Sequence, residues 1–216
     1  MKKIEDSDML IPDTCEEFTD KPLYEIEEYR SIESLLEEFS VAVDVGAHVG
    51  FWSKRLCSSF DRVLAFEAVP DVYKCLDANL AGTTNIEHHG LAIGPRFGSA
   101  DLLIDEEDSG AGKVVRQPTE DKITQVCLDD FLSQDGGLDN EVSFEESVDF
   151  IKIDVGGFEV YVLDGAIDII KLYRPVVCIK VEHEDDDRTD DVLAPLNYVK
   201  VKTVGQYNIW KYDDKF

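Results

Sequence analysis

Val41-Ala-Val-Asp-Val-Gly-Ala-His-Val-Gly50 carries a β-branched run into a loop spaced G-x-x-x-G. The loop opens a helix, with apolar spacing over Lys54–Phe60, so Gly46 and Gly50 stand where backbone turns sharply or approaches a ligand. A dinucleotide phosphate site prefers G-x-G-x-x-G, whose middle glycine lets pyrophosphate rest on the helix N-terminus. That glycine is absent here. Asp44 adds negative charge beside the loop, which repels phosphate and attracts an ammonium group, directly or through water.

Outward from this loop the pattern alternates: Val41–Val45, Lys54–Phe60, Arg62–Phe66, Val72–Leu80, Ile86–Gly90. The order is βαβαβ, which implies parallel strands, right-handed crossovers and helices on both faces of a doubly wound α/β sheet. Short strands are expected at Ala100–Ile104 and Ile123–Cys127, with a polar loop at Ser133–Asn140 suited to substrate-specific elaboration. The alternation resumes with a strand at Phe150–Val155, a helix at Val160–Lys171 and a strand at Pro175–Val181. Tyr198–Thr203 and Tyr207–Tyr212, joined through Gly205-Gln206, read as a terminal antiparallel hairpin. Together these make a mostly parallel seven-stranded sheet. By analogy, an antiparallel pair ending such a sheet marks the Rossmann-like class I methyltransferase architecture.

Upstream, Ile26, Tyr29, Ile32, Leu35, Leu36 and Phe39 recur at helical spacing, giving an expected helix over Leu23–Phe39. Residues 1–22 are polar and aperiodic and are expected to be a flexible terminal segment, leaving 23–216 as one domain.

Composition narrows the class. The 216 residues are 44% hydrophobic, a globular value, and no apolar run approaches the roughly 20 residues a membrane span needs. Met1-Lys-Lys-Ile-Glu-Asp-Ser-Asp lacks the apolar core of an export signal. Cys15, Cys57, Cys75, Cys127 and Cys178 are scattered with no C-x-x-C pair, as in a reducing compartment. A cytoplasmic location is expected, the host's if the chain is viral. The net charge of −26 opposes a nucleic-acid partner, because its field repels a phosphate backbone. The acid runs Asp105–Asp108 and Glu182–Asp191 read as solvated, and no metal site is assigned.

Glu67 ends the second strand, about 20 residues beyond the glycines, where a carboxylate accepts hydrogen bonds from both hydroxyls of a ribose. Beside it stands Ala68. Leu91 and Ala92 follow the third strand and offer an apolar wall for an adenine. With Asp44, Gly46, Ala47, His48 and Gly50, these residues form the expected site for S-adenosyl-L-methionine.

Val43-Asp-Val-Gly-Ala-His-Val-Gly50, Ala65-Phe-Glu-Ala-Val-Pro70, Leu91-Ala-Ile-Gly94, Asp108-Ser-Gly110, Leu128-Asp-Asp-Phe-Leu132 and Asp149-Phe-Ile-Lys-Ile-Asp-Val-Gly-Gly-Phe-Glu159 together resemble the FkbM-type methyltransferases, including versions found in phage genomes, over residues 41–184. The resemblance implies methyl transfer from S-adenosylmethionine to a hydroxyl, often on a sugar, glycolipid or natural product, so the expected partner is a small-molecule or glycan acceptor. Two departures stand out. Ala68 replaces the family's usual proline, and Gly156 occupies a position where the family usually has Glu or Gln.

Methyl transfer from a sulfonium is an in-line displacement, served mainly by holding the acceptor oxygen close and aligned. An alcohol must also lose a proton, so a carboxylate or histidine at the site is useful. Asp154, at the end of the central strand and beside the switch point, is the first candidate. Glu182 and His183, at the end of the following strand, are the second. Alternation puts Lys152 on the same face as Asp154, where it could pair with the acid. Two other readings remain: a degenerate cofactor-binding module, motivated by Gly156, and a nicotinamide-dependent oxidoreductase, which shares the ribose acid but needs a phosphate-friendly loop.

Overall fold

All five residues of Val41–Val45 are buried, so this strand has no solvent face and lies inside the sheet. The computed structural model describes residues 1–4, 7–15, 25–104, 112–133, 147–181 and 188–215. In chain order the elements are β1 (Lys2–Lys3), β2 (Leu10–Ile11), α1 (Ile26–Glu33), β3 (Val41–Val45), α2 (Phe51–Ser59), β4 (Arg62–Phe66), α3 (Pro70–Leu80), β5 (Ile86–His89), β6 (Ala92–Ile93), β7 (Gly98–Leu103), β8 (Lys113–Val115), β9 (Lys122–Val126), α4 (Leu128–Leu132), β10 (Val148–Ile153), α5 (Glu159–Asp164), α6 (Ile167–Tyr173), β11 (Val176–Lys180), α7 (Thr189–Leu193), β12 (Tyr198–Val204) and β13 (Tyr207–Tyr212).

The main sheet has seven strands in the order β12-β13-β11-β10-β3-β4-β5. β5, β4, β3, β10 and β11 are parallel, and β13 runs antiparallel to both β11 and β12. The chain starts at β3 and builds outward to β5, then crosses back to β10 and builds the other way. The switch point therefore lies between β3 and β10, where open α/β sheets place their ligands.

Strand alternation divides the core. Val41, Val43, Val45, Leu64, Phe66, Ile151, Ile153, Val177 and Ile179 face one side, packed with residues of α4, α5 and α6. Ala42, Val63, Phe150, Val176 and Cys178 face the other, under Tyr29 and Ile32 of α1 and Trp52 and Leu56 of α2. The strands expected at Ala100–Ile104 and Ile123–Cys127 belong to a separate four-stranded sheet, β6-β9-β7-β8.

Three expectations need correction. The described part of residues 1–22 is docked: β1 and β2 pair antiparallel, and Ile4, Met9, Ile11 and Cys15 are buried. Asn79 of α3 clamps it, accepting from the Leu10 amide at 2.7 Å and donating to the Leu10 carbonyl at 2.8 Å. Two-residue strands show no period, which hid this ribbon from a pattern reading. The helix expected over Leu23–Phe39 stops at Glu33, and Leu35 and Leu36 donate instead to the carbonyls of Ile32 and Glu33 in tight turns. The helix expected over Val160–Lys171 is two helices, broken at Gly165-Ala166. Gly165 passes so close to Gly94 that a Cβ there would collide with the Gly94 carbonyl. The Asp129 carboxylate then takes up the amides of Asp168 and Ile169 at 3.1 and 2.9 Å, starting the second helix.

The loop expected at Ser133–Asn140, beyond Ser133 itself, and the acid run Asp105–Asp108 lie outside the described residues. Among the described residues, no helix is long and apolar enough to cross a membrane.

Candidate active site

At the C-terminal ends of β3, β4, β10 and β11 lies a cavity of about 530 Å³. The β3–α2 loop forms its floor. Gly46 and Ala47 both donate their amides to the Phe66 carbonyl at 2.9 Å, which folds the loop over the end of β4. Gly46 has φ 75°, and a Cβ there would strike the Asp154 carbonyl, so this glycine lets β3 and β10 close together. Gly50 does different work. It caps α2 with φ 98°, and a Cβ would lie 2.9 Å from Leu76 Cδ1, so it permits close packing against α3 and does not line the cavity. His48 adopts φ 53°, a left-handed conformation unusual for a non-glycine residue. That turn aims its amide at Glu67.

Glu67 is 7% exposed and lines the cavity. Its Oε2 accepts from the His48 amide at 2.8 Å and its Oε1 from the Val69 amide at 2.7 Å. Each oxygen keeps a further lone pair for a ligand hydroxyl. Burial pushes the carboxyl up to about 7, against the pull of the Val69 and His48 amides and the Lys152 charge. Ala68, Leu91, Ala92 and Ile93 supply an adjoining apolar wall.

Asp44 departs from its expected place. It is fully buried, absent from the cavity lining, and tied to Ser53 Oγ at 2.7 Å and Lys152 Nζ at 3.0 Å. The cation it attracts belongs to the protein itself. Lys152 also donates to the Gly46 carbonyl at 2.8 Å and lies 3.9 Å from Asp154, so its expected pairing with Asp154 is secondary to Asp44. Burial works to lower the Lys152 ammonium, but the charge of Asp44, with that of Asp154 behind it, outweighs burial and holds it above its usual value.

Asp154 lines the cavity, its amide bonded to the Val45 carbonyl at 3.0 Å. Its Oδ2 lies 3.3 Å from both Lys180 Nζ and the Tyr207 hydroxyl. Glu182 and His183 lie outside the described residues. Gly156 lines the cavity with φ 64° and brings no side chain to it.

Several cavity residues were not anticipated: Glu25, Phe51, Trp52, Phe158, Lys180 and Gln206. Lys180 carried a signal, a charge ending an otherwise apolar strand. Glu25 carried none, because its partner Tyr207 is 182 residues away in sequence. Among the described residues, no group of three or more His, Cys, Asp or Glu side chains could hold a metal ion.

Comparison with solved structures finds the same fold. An FkbM methyltransferase from Methylobacillus flagellatus superposes with a TM-score of 0.56 at 20% identity, covering 83% of this chain and 45% of the other. The chain thus spans less than half the length of that relative. A putative methyltransferase, yhhF, from Escherichia coli gives 0.53 at 15% identity over 96% of this chain and 92% of its own. The ribosomal protein L11 methylase from Lactobacillus delbrueckii subsp. bulgaricus gives 0.53 at 12% identity, over 90% and 81%. These likenesses establish the fold. Comparison of the sequence with curated proteins finds no match. The methyltransferase FkbM domain family matches residues 44–200, from Asp44 of β3 into β12, and the chain belongs to that family.

Proposed function

We propose that the cavity binds S-adenosylmethionine and that the domain transfers its methyl group to a hydroxyl of a sugar, glycan or other small molecule. Glu67 carries this reading. A buried carboxylate facing a cavity, with one backbone amide on each oxygen and a lone pair free on each, suits the two hydroxyls of a ribose. The other surfaces fit the same ligand. Ala68, Leu91, Ala92 and Ile93 can flank an adenine, and about 530 Å³ falls within the range of small-molecule sites.

When bound, the cofactor supplies a methyl group already activated on a sulfonium. The residues of the chain have three tasks. Glu67 and the His48 turn hold the nucleoside end, and the Gly46 loop sets the depth of the cavity. Asp154 accepts the proton that the acceptor hydroxyl loses as its oxygen bonds to the methyl carbon, whose bond to sulfur breaks to leave S-adenosylhomocysteine. The net charge of −26 favours an acceptor without a phosphate backbone.

Gly156 favours a second reading, a domain that binds the cofactor but transfers slowly, because no side chain extends from this position into the cavity. Calorimetry with S-adenosylmethionine and S-adenosylhomocysteine, followed by an assay of S-adenosylhomocysteine release against a panel of hydroxylated acceptors, tests both. Binding with turnover supports the transferase. Binding without turnover on any acceptor supports the second reading, and no binding of either nucleoside overturns both.

A further inference from the structure

Asp154 and Glu25 share the same donors. Lys180 Nζ lies 3.3 Å from Asp154 Oδ2 and 3.3 Å from Glu25 Oε1. The Tyr207 hydroxyl lies 2.6 Å from Glu25 Oε2 and 3.3 Å from Asp154 Oδ2. Glu25 therefore grips, with one oxygen each, the two groups nearest to Asp154 Oδ2, while Lys152 Nζ lies farther from the same oxygen at 3.9 Å. The tyrosine has one proton, and the shorter contact directs it chiefly to Glu25. Asp154 then depends most on Lys180, whose place Glu25 sets.

Glu25 is itself well anchored. Trp52 Nε1 donates to its Oε2 at 2.7 Å. It caps α1 with φ 52°, a left-handed conformation that persists at a non-glycine residue only where contacts over-determine it. The side chains of Glu25 and Lys180 are 11% and 15% exposed, against 24% for Asp154, so all three line the cavity and Asp154 is the most open of them. On its other side Asp154 is followed by Val155, Gly156 and Gly157, and both glycines are left-handed. The backbone of Asp154 is fixed by Val45, but these glycines give its side chain no wall.

We infer that Glu25 is a positioning residue: through Lys180 and Tyr207 it holds the Asp154 carboxylate in the orientation that takes the acceptor's proton. The inference rests on the reading of Asp154 as the proton acceptor. It makes the segment entering α1, which precedes the family-matched residues, part of the reaction centre.

Crystal structures of the full chain and of Glu25→Ala, Glu25→Gln, Lys180→Met and Tyr207→Phe, with S-adenosylmethionine calorimetry and turnover on each, test this. In both Glu25 variants Lys180 and Tyr207 are expected to shift from the positions Glu25 sets and to carry the Asp154 carboxylate with them. Affinity for S-adenosylmethionine should hold within about threefold while kcat falls about 10- to 100-fold with acceptor KM little changed. Glu25→Asp, which keeps the charge, should recover part of the rate. An Asp154 carboxylate that stays in place in both Glu25 variants overturns the inference, as does a loss of cofactor affinity that accounts for the loss of rate. If the Glu25 variants do not fold, Lys180→Met read beside Tyr207→Phe decides, since an Asp154 that stays in place with unchanged kcat in both overturns the link. Failure of the wild-type chain to bind S-adenosylmethionine would instead refute the function of the site, and the position of Asp154 in the variants would still decide the role of Glu25.

Discussion

Lys152 Nζ lies 3.0 Å from Asp44 Oδ1 between the two central strands, with side chains 2% and 0% exposed. The pair sits on the register Lys152 to Asp44 of β10 and β3, so it ties together the strands that flank the switch point. Breaking one side of a buried pair leaves a charge without its partner, which costs about 3–5 kcal/mol. Asp44→Ala and Lys152→Ala should each lower the urea unfolding free energy by that amount, and the double variant by less than the sum. A loss below about 1 kcal/mol in either single variant would place the pair among interactions of surface strength.

The same pair sets an alkaline limit. The Lys152 ammonium is held above its ordinary value of 10.5, so its contribution is complete below that pH and is lost as pH rises through the higher folded-state value. Unfolding midpoints should fall more steeply above about pH 10.5 in the wild type than in Lys152→Met.

Glu67 acts in the same direction at lower pH. Its carboxyl is raised from 4.5 to about 7 by burial, so folding favours the protonated form, and that contribution is complete below 4.5 and lost as pH rises through 7. The loss amounts to about 3 kcal/mol across that window. Chemical denaturation of Glu67→Gln should show a flatter pH dependence there than the wild type. Ribose hydroxyls donate to the ionised form, so affinity for S-adenosylmethionine should rise with pH up to about 7 in the wild type and stay level in Glu67→Gln.

Gly46 and Gly157 separate steric cost from conformational cost. Both have left-handed φ, 75° and 100°, but a Cβ at Gly46 meets the Asp154 carbonyl and one at Gly157 meets nothing within 4 Å. Gly157→Ala should cost about 1–2 kcal/mol, the penalty of the conformation alone. Gly46→Ala should cost more and also distort the cavity floor, read as a larger fall in melting temperature with loss of cofactor binding.

The main sheet was legible because its strands are short apolar runs separated by helical spacing, from Val41–Val45 to the closing hairpin. Glu67 was legible for a related reason, since its distance from Gly46 follows from the length of one βαβ crossover. Asp44 misled because a lone acid at a strand end gives no sign of its partner, and Lys152 reaches it only when β10 inserts beside β3. Glu25 was invisible for the same physical reason. Its contacts with Trp52, Lys180 and Tyr207 join three elements that only the tertiary fold brings to one end of the sheet.

The most direct test is calorimetric titration of S-adenosylmethionine into the folded wild-type chain and into Glu67→Ala. Saturable one-to-one binding is expected for the wild type, with a loss of affinity of at least about tenfold in the variant, since each hydrogen bond to a charged acceptor contributes about 1.5–3 kcal/mol. Equal affinity in the two proteins, or no binding by the folded wild type, would contradict this expectation.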